Sequence, residues 1–284
     1  MVLSGFFINI CQTKSHKLDK CKISKISILL TWLSGFIVGP KNLCENAKNE
    51  DLTALVFLTS NAGVGFVISY VGITLWGSLS YGAFLYFSQI IFSLMIYVFS
   101  KNKNKKICLN CKKEPHLTTF TKSVQNGVKT MLDICGFTVF FSIIKSLLLK
   151  KFESGFFTML VASSLEISSG AFASISAENT VLCAFFTGFT IGFGGVCMCM
   201  QTFSVCKDAC INKTKFMCKK LLHGLLCGAV SMLFVACTGI EPLKQTYNNL
   251  DSNFGIYDLI IGAFFVFLSL NTLKKSLKNK LYST

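Results

Sequence analysis

From Leu52 to Phe99 the chain runs 48 residues without a Lys, Asp or Glu. About 20 apolar residues cross a bilayer as a helix. A soluble fold needs amphipathic helices or alternating strands instead. The run therefore predicts two membrane spans, Leu52–Leu75 and Leu79–Phe99, joined by a tight turn near Trp76 and Gly77. Charged residues are only 14% of the chain and hydrophobic ones 52%; a soluble domain carries about 25% charged residues. The charges fall in clusters between apolar runs, as membrane loops do.

Further apolar runs predict spans at Val124–Leu149, Thr180–Val205, Leu221–Ile240 and Ile256–Leu273. Two others differ. Residues 26–40 are too short to span and hold Gly35, Gly39 and Pro40. Phe156–Ser176 is interrupted by Glu166, Ser168, Ser169 and Gly170. Both are expected to be broken, re-entrant hairpins.

The formal charge is +15 and all 28 basic residues are Lys. They flank the apolar runs and form no single patch, so a nucleic-acid partner is not expected. The basic stretches 11–25, 101–122, 207–220 and the C-terminal tail are placed inside, and 241–255 outside. Lys150 and Lys151 are the exception, falling outside. The two hairpins then enter from opposite faces. The expected fold is an all-α polytopic membrane protein with an inverted repeat of re-entrant hairpins plus transmembrane helices, the usual transporter architecture. Its parts are a basic segment at 1–25, a first repeat at 26–100, a cytosolic loop at 101–122, a second repeat at 123–240, and a loop, span and basic tail at 241–284.

In each half a Gly-broken hairpin is expected to precede a Gly-broken span by about two dozen residues. Gly39 leads to Asn61, Gly63 and Gly65, and Gly170 leads to Gly192, Gly194 and Gly195. Broken helices free backbone groups that survive in hydrocarbon only at a cavity or ligand. Their N-terminal ends favour anions. The plain alternative for each glycine is close helix packing.

Ser34-Gly35-Phe36-Ile37-Val38-Gly39-Pro40-Lys41 resembles an SGYPxGxK motif. Ser60-Asn61-Ala62-Gly63 resembles NNSGP, and Leu165-Glu166-Ile167-Ser168-Ser169-Gly170 resembles LEITNG. Gly192-Phe193-Gly194-Gly195 with Gln201 resembles GFGGxxxxxQ, and Lys220-Leu221-Leu222-His223-Gly224 resembles KLLHG. In this order, across residues 24–240, the motifs resemble the sporulation integral membrane proteins with nucleoside-recognition (Gate) domains. Ile37 and Val64 stand at prolines of that pattern, and Ser60 at an Asn. The resemblance implies transport of dipicolinic acid across the outer forespore membrane of a spore-forming bacterium. The alternatives are a nucleoside or other small-solute carrier, and a scaffold in sporulation that transports nothing.

The residues expected to bind a small anionic solute are Gly35, Gly39, Lys41, Ser60, Asn61, Gly63, Glu166, Ser168, Ser169, Gly170, Gly194, Gly195 and Gln201. Glu166 and His223 are candidates for proton or ion coupling. A mid-membrane carboxylate costs about 2.5–3.5 kcal/mol on insertion scales unless solvated, paired or protonated. The other partners expected are a lipid bilayer and either a second copy or other sporulation membrane proteins. Most of the 14 Cys lie in apolar runs, where Cys acts as a small hydrophobe. Cys108 and Cys111 form a CxxC without a second ligand pair, so no metal is expected. No catalytic constellation appears; no enzyme and no cofactor are expected.

The charge pattern predicts that a single Cys at position 102, in a Cys-depleted variant, is shielded from an impermeant thiol reagent applied outside intact cells. Labelling from outside would overturn the topology.

Overall fold

The computed structural model describes residue 32 and residues 35–46, 51–100, 116–149, 155–207 and 209–243. The expectations for 1–25, for Cys108 and Cys111, for 256–273 and for the tail lie outside the described residues. In chain order the helices are α1 (Val38–Asn46), α2 (Thr53–Thr59), α3 (Gly65–Leu75), α4 (Leu79–Ser100), α5 (His116–Leu149), α6 (Gly155–Leu165), α7 (Ile167–Ser174), α8 (Thr180–Phe193), α9 (Gly195–Val205) and α10 (Lys213–Thr238). No strand occurs among the described residues.

Four stretches are long and apolar enough to cross a membrane: Leu79–Ser100, Gly127–Leu149, Thr180–Val205 and Lys213–Thr238. At 1.5 Å per residue, 22 residues reach about 33 Å, enough for a hydrocarbon core of about 30 Å. Phe87, Val98 and Phe99 on α4, Met131, Phe140, Ile143 and Leu147 on α5, and Leu222 and Leu233 on α10 are exposed. Apolar surface on this scale suits lipid and not water. The chain is an all-α integral membrane protein.

The glycine breaks expected within two of the spans are present, and several other elements depart from the sequence expectation. Leu52–Leu75 is no continuous helix: α2 stops at Thr59, Ser60 to Gly63 are non-helical, and α3 follows as a wide π-helix. Thr180–Val205 is cut at Gly194, which with Gly195 has φ of 79° and 80°. Gly39, Pro40 and Lys41 are not at the first hairpin's break but within α1. Pro40 is tolerated there because first-turn N–H groups have no intrahelical acceptor. The break is at Gly35, with φ 87°. Ser168, Ser169 and Gly170 are also helical, in α7, and the interruption before them is Glu166 alone. The stretches at 101–122 and 207–220 are not loops throughout: α5 begins at His116 and α10 at Lys213. The turn at Trp76 and Gly77 is as expected, with Gly77 at φ 61°.

α8 and α10 pack along most of their length and form the centre. α3 and α4 cover one flank of this pair, the α6–α7 hairpin packs on α8 and α9, and α5 lies outermost against α6 and α9. The central contact depends on two facing small-residue stripes. A Cβ on Gly192 would fall 2.8 Å from the Gly224 Cα, and one on Gly188 only 2.5 Å from the Cys227 carbonyl oxygen. One on Gly224 would meet Phe193 Cβ at 2.8 Å, and one on Gly228 would meet the Phe185 oxygen at 2.9 Å. The helices approach this closely because Gly188-xxx-Gly192 faces Gly224-xxx-Gly228.

The two ends of the bundle are separately clamped. At one, Leu52 N–H donates to the Cys210 carbonyl at 3.1 Å, and Asn212 N–H to Thr53 Oγ1 at 2.9 Å. Leu43, Leu52, Phe57, Ile96, Cys206 and Phe216 pack together there. At the other, Leu243 N–H donates to the Leu75 carbonyl at 2.8 Å. Leu75, Trp76, Tyr81, Ile175, Cys183 and Val235 share that apolar cluster, and Tyr81 and Ser231 hydroxyls meet at 2.7 Å.

Gly188→Val is expected to lower thermal stability in detergent by about 1–3 kcal/mol through overpacking. Gly136→Ala, where nothing lies within 4 Å of an added Cβ, is expected to leave it unchanged or raised. Equal melting temperatures for the two variants would show that the stripe does not hold α8 to α10.

Candidate functional site

The two helix breaks converge on one side chain. α2 ends at Thr59, with Ser60 as its C-cap, and α8 at Phe193, so carbonyls near both ends lack intrahelical partners. Lys220, fully buried two turns into α10, donates from Nζ to the Ser60 carbonyl at 2.5 Å and the Gly192 carbonyl at 3.3 Å. A cation at helix C-termini is favoured by their partial negative charge. The rings of Phe36 and Phe57 each lie 5.8 Å from Nζ. No carboxylate pairs with Lys220 among the described residues.

His223, one turn along α10, is also fully buried. Nδ1 lies 2.9 Å from the Gly192 carbonyl oxygen and Nε2 2.8 Å from that of Gln89. Gln89 of α4 bridges the first break with its side chain. Its Nε2 donates to the Ala62 carbonyl at 2.9 Å, and its Oε1 accepts the Ala62 N–H at 3.3 Å. Both backbone groups that the break exposes at Ala62 are thereby satisfied. Asn61, 1% exposed, donates from Nδ2 to the Leu58 carbonyl and Ser93 Oγ; its Oδ1 has no partner among the described residues.

The breaks also touch the hairpin interruptions. A Cβ on Gly35 would lie 3.3 Å from Gly63 N and Cα. One on Gly195 would lie 2.7 Å from the Leu165 oxygen and 2.8 Å from Glu166 N. Each interruption is pressed against the following helix break through glycine.

Asp51 accepts from Thr53 N–H in α2 and Ser78 from Tyr81 N–H in α4. Glu166, Asn179 and Asn212 cap α7, α8 and α10. α3 and α9, which begin at the breaks, have no side-chain cap; the N-cap of α2, Leu52, supplies none either, and Asp51 before it accepts from Thr53 N–H instead. Helix starts of this kind suit an anion.

Of the residues expected from sequence, Ser60 and Asn61 lie at this hub, with Gly63 and Gly194 at the breaks it joins. Glu166 is buried, and its carboxylate accepts from Ser168 N–H (3.0 Å), Ser168 Oγ (2.5 Å) and Ser169 N–H (2.7 Å). It is the N-cap of its own hairpin. Tyr70 and Lys145 lie within its electrostatic range. Gly170 packs against the Ser163 Cα. Gln201 donates to Cys197 Sγ, and Lys41 to Thr130 Oγ1 at 2.9 Å; neither bonds to Lys220 or His223. Gln89 was not singled out from sequence, and Lys220 entered only as the first residue of the KLLHG-like motif, not as a site residue. Gln89 carried a signal, being the lone amide or charged side chain between Asn61 and Lys101. Lys220 read as the last residue of a basic loop.

Comparison with protein-family models, curated proteins and solved structures finds no match. The class that fold and site define is a helical integral membrane protein with a buried cationic centre at interrupted helices.

Gln89→Leu strands the Ala62 N–H and carbonyl in the interior, at about 1–3 kcal/mol for each group. It is expected to lower the melting temperature clearly more than Gln201→Leu, whose amide meets only a sulfur. The reverse order in a thermal scan would show that Gln89 does not support the break.

Proposed function

We propose that this chain carries a small carboxylate anion across a membrane. The binding site in this reading is formed by the uncapped starts of α3 and α9 around Lys220. One observation carries it: Lys220, a fully buried ammonium with no carboxylate partner among the described residues, holds the carbonyl ends of α2 and α8, at the two breaks after which α3 and α9 start without side-chain caps. Backbone N–H groups and the ammonium all favour negative charge.

The motif resemblance supplies the substrate, dipicolinate, and the place, the cell membrane or outer forespore membrane of a sporulating cell. The two broken hairpins are read as the tips of an inverted repeat, with entry from opposite faces. Rocking one half against the other around a fixed centre gives alternating access. A nucleoside lacks the charge that such a centre favours and ranks below a carboxylate.

A non-transporting scaffold is the second reading. It is favoured by Glu166, which is occupied in capping its own helix, and by the packed glycines of α8 and α10. The carrier reading does not need either group to move onto substrate.

Dipicolinate uptake into proteoliposomes separates these readings. Wild type is expected to accumulate dipicolinate, and Lys220→Met to lose at least tenfold of the rate, with Lys220→Arg recovering part of it. Nucleoside uptake without dipicolinate uptake would replace the substrate. Uptake of neither by a folded protein would leave the scaffold.

A further inference from the structure

We infer that Lys220 and His223 share one positive charge in the empty protein, and that binding a carboxylate anion brings one further proton onto the pair. The second half rests on the anion-carrier reading; the first half does not. Carbonyl oxygens only accept, and a neutral imidazole has one donor. Both ring nitrogens of His223 face carbonyls, at 2.9 Å from Gly192 and 2.8 Å from Gln89. A neutral ring satisfies one of these contacts and an imidazolium satisfies both. The surroundings are thus built to accept a second proton.

What opposes that proton is Lys220. Its ammonium shares the Gly192 carbonyl with His223, and the two residues stand at i and i+3 on one helix face. The negative charge on hand comes from the ends of α2 and α8. Each helix C-terminus carries roughly half an elementary charge, so two offset about one cation. α2, α4, α8, α9 and α10 contain no Asp or Glu. The titratable groups facing Lys220 are the thiols of Cys199 and Cys227, and Lys220 is the charged group facing His223. A second cation needs an anion from outside the helices, and a bound carboxylate provides it. Binding and proton uptake are then one event, with the proton moving from solvent to the imidazole.

The experiment has two arms, both on the full chain in nanodiscs. In the first, dipicolinate binding is measured by calorimetry in two buffers of different ionisation enthalpy. The expected uptake is close to one proton per site, with affinity falling about tenfold per pH unit where the pair titrates. In His223→Gln, uptake is expected to vanish and the residual binding to lose its pH dependence. Tight wild-type binding without proton uptake would overturn the coupling. The second arm needs no ligand. The 15N signals of His223 are assigned by difference, the chain holding 3 His. At pH 7 the wild-type ring is expected to be neutral, to stay neutral in Lys220→Arg, and to become imidazolium in Lys220→Met. A ring with the same protonation in all three proteins would overturn the charge sharing. If wild type binds no dipicolinate while the ring still responds to Lys220→Met, the carrier reading falls and the shared charge stands.

Discussion

Hydrocarbon offers no water to an unpaired carbonyl, and this molecule interrupts two membrane helices. Each interruption leaves backbone oxygens that must find donors inside the protein. Lys220 reaches both, at Ser60 and Gly192. His223 contacts Gly192 again and ties it to the backbone of Gln89. Gln89 in turn closes the first break through Ala62. Four helices, α2, α4, α8 and α10, are joined in this way by three side chains. Removing one would strand several backbone groups at once, so the network is all-or-none in character.

The glycines serve two purposes. At 188, 192, 224 and 228 they are missing side chains, and their absence brings α8 and α10 together. That closeness lets Lys220 and His223, on α10, reach a carbonyl of α8. At 194 and 195 the glycines supply a left-handed backbone that other residues adopt at a cost. Packing glycines thus place the cation, and conformational glycines create what it binds. The two interpretations offered for glycine in a membrane helix are both realised here, a few residues apart.

Charge balance gives the centre its chemical character. A lysine held by dipoles and not by a carboxylate is compensated in part and diffusely. The helices that follow the two breaks, α3 and α9, start without side-chain caps. Glu166 is the contrasting case. Its carboxylate is consumed by two amides and a hydroxyl within its own turn. A buried acid looked in the sequence like the obvious functional group, yet its bonds are those of a cap. The basic residue that looked like part of a loop is at the centre.

Membrane residence and the apolar helices near 79–99, 124–149 and 221–240 were legible in the sequence. Long uncharged runs admit few other structures, because every backbone group in lipid needs an internal partner. The breaks near Asn61–Gly63 and Gly194 were also legible, since clustered glycine lowers the cost of leaving a helix. The exact interruptions were not: Glu166 breaks its hairpin while Ser168 to Gly170 continue α7, because a cap extends the helix it starts. Lys220 was illegible for a different reason. A lysine at the edge of an apolar run normally reaches water, and the KLLHG-like motif that holds it names no partner for its ammonium. Only the tertiary structure brings Ser60, 160 positions earlier, and Gly192, 28 earlier, to its ammonium. Sequence determined that the helices would break in the membrane; packing decided which side chain would receive their ends.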